Sequence, residues 1–231
     1  MNTKIIILTH PFSGHINPMT GLVYELAKKR NHNVIWYGIS EVKDIIEKTG
    51  AIYRSYSYFP IENFKRKPSN EKQDSQFVQV AWEMLNLSDK IMNDLIEIVE
   101  NEKPDLIIYD TWALFTKFLI QILGDRYKKK ITKLAPPRAV MFSPFFGFKK
   151  GVYPNEDEYR MIIDYDLKYY FKSFLLFFKQ LYFNYKYGLS YKEDTISMLF
   201  SHTGEINIIS TSYDLQPKVD LFNENDYFVG W

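Results

Sequence analysis

"KIIILTHPFSGHINPMTGLVYELAKKR", residues 4–30, joins an apolar run to an amphipathic one through a turn rich in Pro, Gly and His. Ile5 to Leu8 is continuously apolar and closed by a turn signal, the pattern of a strand covered on both faces in a parallel sheet. Pro18 suits the first turn of a helix, where its missing N–H is not needed. Met19, Leu22, Val23, Leu26 and Ala27 then recur at helical spacing, and Lys28, Lys29 and Arg30 suit the negative end of that helix. Strand, loop and helix follow in that order. His15, in the loop, either shapes the turn or takes a proton.

The same alternation continues along the chain. "NVIWYG" (33–38) reads as a second strand, and Ser40 as the N-cap of a helix over "EVKDIIEK" that Gly50 closes. "AIYRSY" (51–56) reads as a third strand, and residues from about 69 to 102 carry the apolar period of a long crossover helix. "DLIIYD" (105–110) is a further buried strand, "WALFTKFLIQIL" a helix ending near Gly124, and "AVMFS" (139–143) a fifth strand. Helical density follows from Asp157 to about Tyr187, then a short helix near Thr195 to Phe200, the strand "INIIS" and a last short strand in "YFVGW". Strands alternating with helices predict an α/β fold: an open, mostly parallel, doubly wound sheet with right-handed crossovers. We expect one Rossmann-like domain over residues 1–231, with a helical, aromatic-rich elaboration at about 155–200.

Composition narrows the function. Lys and Arg total 29 against 28 Asp and Glu, which gives no long-range field toward nucleic acid, so no nucleic-acid partner is expected. There is no cysteine, hence no disulfide framework or thiolate chemistry, and His10, His15, His32 and His202 lack metal-ligand spacing. No metal is expected. The first apolar run is too short for a signal peptide or a membrane span, and the chain reads as cytoplasmic. Twelve aromatic residues crowd the stretch from Tyr165 to Tyr191, punctuated by Lys168, Lys172, Lys179 and Lys186. That segment suits a helix pair covering the sheet, a lipophilic wall, or a helix in peripheral contact with a membrane surface.

In open α/β sheets, ligands bind beyond the carboxyl ends of the strands where strand order reverses. The loop with His15 leaves the first strand at that edge. Asp110 ends the strand that a doubly wound order sets beside it, roughly 4.8 Å away. A carboxylate holds an imidazole in one tautomer and stabilises its cation, as a general base acting on a hydroxyl requires. Alternatively, Asp110 caps the helix beginning near Thr111 and His15 is a polar loop residue. "SGHINP" is neither G-x-G-x-x-G nor a Walker sequence. Backbone N–H groups at a helix start nevertheless favour anions, which gives Ser13, Gly14 and His15 a secondary phosphate role. His10 reads as a spacer in the turn, and His32 and His202 as loop residues.

"PFSGHINPMTGLVYELAKKRNHNVIWYG" (11–38) resembles the N-terminal signature of UDP-glycosyltransferases of the two-domain GT-B fold, the macrolide type especially. "TGAIYRSY" (49–56), "KPDLIIYDTWALFTKFLIQILG" (103–124) and "INIISTSYDLQP" (206–217) followed by "YFVGW" agree with it in order. The resemblance implies that His15 is the general base and that Asp110 orients it. It implies displacement at a sugar's anomeric carbon with inversion and loss of UDP, the UDP-sugar being a co-substrate and no metal being needed. Phe12, Ser13, Trp112, Phe145, Phe146, Tyr170, Phe174 and Phe178 become candidate contacts to a small hydrophobic acceptor, and Ser13 and Gly14 to the nucleotide phosphate. The family's "FVGP" leads into a donor-binding half, whereas this chain ends in "FVGW", with Trp231 in place of the proline. We therefore expect the donor half to be absent and this chain alone to be inactive or nearly so. "DRYKKKITKLAPPR" (125–138) is a longer and more basic connection than the family's. The competing expectation is a non-catalytic truncated or split binding module, which pairs with a partner chain or with itself, or holds a lipophilic ligand.

Overall fold

The computed structural model describes residues 2–60, 62, 74–145, 147, 167–190, 195–201 and 204–230. Seven parallel strands form one sheet: β1 (Lys4–Leu8), β2 (Asn33–Gly38), β3 (Ile52–Ser55), β4 (Leu106–Asp110), β5 (Arg138–Ser143), β6 (Ile206–Ile209) and β7 (Asp226–Phe228), in the order β3-β2-β1-β4-β5-β6-β7. Order reverses between β1 and β4, where Leu8 lies beside Tyr109 in register. The expected doubly wound α/β sheet is therefore the one observed.

Alternating side chains of the central strands build two cores. Ile5, Ile7, Val34, Trp36, Ile108 and Phe142 face one side, against α1 (Ser13–Ile16), α2 (Thr20–Tyr24) and α3 (Lys43–Lys48). Ile6, Leu8, Ile35, Tyr37, Ile107 and Tyr109 face the other. There they meet α4 (Asp74–Glu102) and α5 (Leu114–Lys128), joined by α6 (Leu167–Tyr187) and α7 (Thr195–Phe200). The 29-residue α4 buries Ala81, Met84, Leu87, Ile91, Leu95 and Val99 of the apolar period read from the sequence, leaves Val80 and Ile98 partly buried, and buries Val78 and Leu85 as well. Lys117 of α5 is also buried, and its ammonium donates to the carbonyls of Met198 and Ser201, closing the end of α7.

Three boundaries differ from expectation. The first helix begins at Ser13, not near Pro18, so His15 sits in a helical turn rather than a loop. Pro18 is accommodated by a 3₁₀ segment, Asn17–Met19, between α1 and α2. Phe12 at the N-cap makes no side-chain cap, so the usual sequence signal of a helix start is missing. Ser40 does not cap α3; it opens a 3₁₀ turn, and its hydroxyl donates to Glu41. Helix α5 runs past Gly124 to Lys128, and its last turn carries Arg126, whose guanidinium pairs with Glu100 of α4 at 3.2 Å. The basic connection thus begins as helix and turns away at Lys130, where φ is +57°. By contrast Gly50 ends α3 as anticipated, with φ at +89°.

Candidate active site

Two chain exits meet at the β1–β4 reversal. Beyond β1, Thr9 is fixed from two sides: its hydroxyl accepts from the Trp36 indole at 2.9 Å, and its carbonyl from the Tyr56 hydroxyl at 3.0 Å. Burial, followed by the nearby Asp110 charge, pushes the Tyr56 phenol well above its ordinary pKa, so it remains a donor. His10, Pro11 and Phe12 then lead into α1. From β4 comes Asp110, fully buried at the strand's last position.

Asp110 is the hub. One carboxylate oxygen accepts the Trp112 N–H at 2.7 Å, and the other accepts the backbone N–H of His10. His15 Nδ1 stands 3.3 Å from the Asp110 oxygen that also serves Trp112. This is ion-pair distance without an aligned hydrogen bond; such contacts at reactive sites are commonly long before a substrate is bound. Asp110 therefore holds the turn after β4 and faces the imidazole, but it does not cap the following helix as the alternative reading expected: α5 begins at Leu114, with Ala113 at its N-cap and no side-chain cap. Burial works against its negative charge, but the facing His15 and the backbone N–H of His10 outweigh burial and hold its carboxyl below the usual range.

Aromatic rings enclose this polar centre. The His15 imidazole is 5.2 Å from the Trp112 ring and meets the Phe145 ring edge-on at 5.4 Å. His10 packs on Phe12 at 4.3 Å and edge-on to Phe59 at 5.4 Å. His15 is 4% exposed, so the ring is nearly enclosed.

No protein-family model matches the chain. Its sequence is 24% identical over 227 residues to an uncharacterized UDP-glucosyltransferase, YojK, of Bacillus subtilis, in an alignment that takes in 98% of this chain and 52% of that protein. The calicheamicin glycosyltransferase CalG4 superposes with a TM-score of 0.72 at 18% identity, over 99% of this chain and 53% of that one. The chain is similar in sequence to glycosyltransferases and has the fold of one half of a GT-B enzyme. The spinosyn rhamnosyltransferase SpnG, in its complex with the spinosyn aglycone, superposes with a TM-score of 0.55 at 15% identity, over 93% of this chain and 47% of that one. The chain spans about half the length of the curated relatives it matches.

The structure gathers Phe12, His15, Asp110, Trp112 and Phe145 at one edge. Ser13 and Gly14 are exposed in the same turn as His15, and α1 is a single turn that adds nothing to their expected phosphate role. Phe146 and His202 lie outside the described residues. Tyr170, Phe174 and Phe178 occupy the exposed side of α6, and Phe174 and Phe178 pack on each other at 4.7 Å. Among the described residues no ring contact joins those two to His15. Nor, among the described residues, do three His, Cys, Asp or Glu side chains converge as a metal would require, and no helix is long and apolar enough to cross a membrane.

The sequence reading made His10 a spacer in the turn, and the structure gives it a place in the Asp110 setting. Its ring is fully buried, and burial, followed by the neighbouring His15, lowers its pKa to about 3 despite the opposing pull of Asp110. It is thus a neutral part of the Asp110 setting at ordinary pH, and its backbone N–H fixes the carboxylate. The signal was its place two residues beyond the first strand and three ahead of the helix that carries His15.

Proposed function

We propose that this chain is the acceptor-binding half of an inverting, UDP-sugar-dependent glycosyltransferase that transfers a hexose to a hydroxyl of a small hydrophobic acceptor. The observation that carries the reading is His15 Nδ1 at 3.3 Å from buried Asp110 at the sheet's reversal point. With Nδ1 turned to the carboxylate, Nε2 is the nitrogen left for the acceptor. It takes the hydroxyl proton as the oxygen attacks the anomeric carbon; the bond to the UDP oxygen breaks, and UDP departs with its electron pair. Asp110 stabilises the imidazolium that results. His10, neutral beside it, adds no competing positive charge. Trp112, Phe145 and Phe12 supply an apolar surface for an acceptor ring. The chemistry invokes no metal.

In this reading the sugar nucleotide is held by a donor-binding half. Mixing the chain with a separately expressed donor-binding half, UDP-glucose and a phenolic acceptor should release UDP. His15→Ala should cut the rate by about 10²–10⁴-fold, the usual range for general-base catalysis. UDP release undiminished by that substitution contradicts the base assignment.

The second reading, a non-catalytic binding module, draws on the outer face of α6, where Phe171, Phe174, Phe177 and Phe178 are each more than half exposed. Such a face suits a partner chain, self-association or a membrane surface. A clean monomer on gel filtration, with no binding to anionic vesicles, counts against it.

A further inference from the structure

Gln216, in the connection between β6 and β7, is 5% exposed, and its carboxamide grips both backbone groups of Gly147. The Gly147 N–H donates to Oε1 at 2.7 Å, and Nε2 donates to the Gly147 carbonyl at 3.1 Å. A side chain here makes the paired contacts that a neighbouring strand residue would make, between residues 69 positions apart. A Cβ at position 147 would lie 2.4 Å from the Phe222 ring and 2.9 Å from the Ile209 side chain, so glycine alone fits under the clamp. Phe222 in turn packs edge-on to Phe228 of β7 at 5.2 Å.

Gly147 lies two residues beyond Phe145, the ring set edge-on to His15. On the other side of Phe145 the chain is tied to the segment after β6, where the Ser143 carbonyl accepts the Ser210 N–H at 2.9 Å. We propose that Gln216 is a positioning residue: by fixing Gly147, two residues beyond Phe145, it anchors the chain that carries Phe145 and holds that ring against His15, so the β6–β7 connection shapes the aromatic wall before the base. The consequence for acceptor binding rests on the function proposed above; the placement of Phe145 does not.

NMR on the 231-residue chain tests the placement. The wild type should show a nuclear Overhauser contact between the Phe145 and His15 rings and slow exchange of the Gly147 amide. Gln216→Leu removes both clamp bonds at similar volume. It should speed Gly147 exchange at least about tenfold and abolish the ring contact while the β1 and β4 amides keep their protection. Gln216→Glu retains an acceptor for the Gly147 N–H but no donor for its carbonyl, and should give an intermediate result even if the leucine variant does not fold. A Phe145–His15 contact at wild-type intensity in a folded clamp variant overturns the proposal. With a donor-binding half, UDP-glucose and 1-naphthol, Gln216→Leu should raise the 1-naphthol KM about tenfold and leave kcat within about twofold. An unchanged KM beside a lost ring contact overturns the acceptor part. Absence of transfer by the wild type overturns the functional reading, with the ring contact still deciding the clamp.

Discussion

The reversal edge of the sheet and the outer face of α6 are both rich in aromatic rings, and they use them in opposite ways. At the edge, Phe12, Phe59, Trp112 and Phe145 enclose two imidazoles around one buried carboxylate. On α6, Phe171, Phe174, Phe177, Phe178 and Tyr182 face outward, while Leu176, Gln180 and Phe183 face the helices beneath. The rings alone do not distinguish the two places. What does is Asp110, whose desolvated charge demands partners and draws His10, His15 and Trp112 into one geometry.

The sharpest way to break this comparison is to remove the hub from one region and the rings from the other. In the reaction with a donor-binding half, Asp110→Asn should slow turnover by about a thousandfold, because the imidazolium loses its counter-charge. The double substitution Phe174→Ser, Phe178→Ser should leave kcat within about twofold. A large loss of kcat in the α6 variant would show that the two regions work as one site.

Stability should divide α6 itself. Phe183 is buried against Phe118 at 4.5 Å, and Phe183→Ala should cost about 3–5 kcal/mol in urea unfolding. Phe178→Ala, half-exposed on the same helix, should stay within about 0.5 kcal/mol. Equal costs would mean that the outer face is covered in solution.

The edge should also respond to acid. The folded-state pKa of His10 is depressed to about 3, so below about pH 6.5 the unfolded chain takes up a proton that the native state refuses. Stability should therefore fall as pH drops through that window, with His10 contributing up to about 1.4 kcal/mol per pH unit. The Asp110 contribution is present above the usual carboxylate range and is lost as pH falls through its depressed folded pKa, at the acid end of the same curve. His10→Phe should flatten the upper part of the curve, read as urea midpoints between pH 4 and 7. An unaltered slope would place the His10 ring outside the buried edge.

Much of the edge was legible in the sequence because topology does the work. Once β1 and β4 are recognised as parallel neighbours at the reversal, the turn after Leu8 and the carboxylate after Tyr109 must face each other. His10 was harder to read, since its burial depends on Phe12, Phe59 and Trp112 from three separate segments. The helical setting of His15 was hidden by Pro18, which marks a helix start in most contexts and is here absorbed by a 3₁₀ turn. Gln216 left no local signal at all, because its partner is a backbone group on a distant loop. On α6 the helical period was plain, but all its faces are aromatic, so the pattern did not say which side is buried.

The two ring nitrogens of His15 provide the most direct test of the pair. Their ¹⁵N chemical shifts, measured on the neutral imidazole in the wild-type chain and in Asp110→Asn, report which nitrogen carries the proton. The expected result is a proton on Nδ1, toward Asp110, with Nε2 free to act as a base, and loss of that preference in the variant. A proton on Nε2 in the wild type, or a tautomer unchanged by Asp110→Asn, would contradict the assignment of His15 as a base held by Asp110.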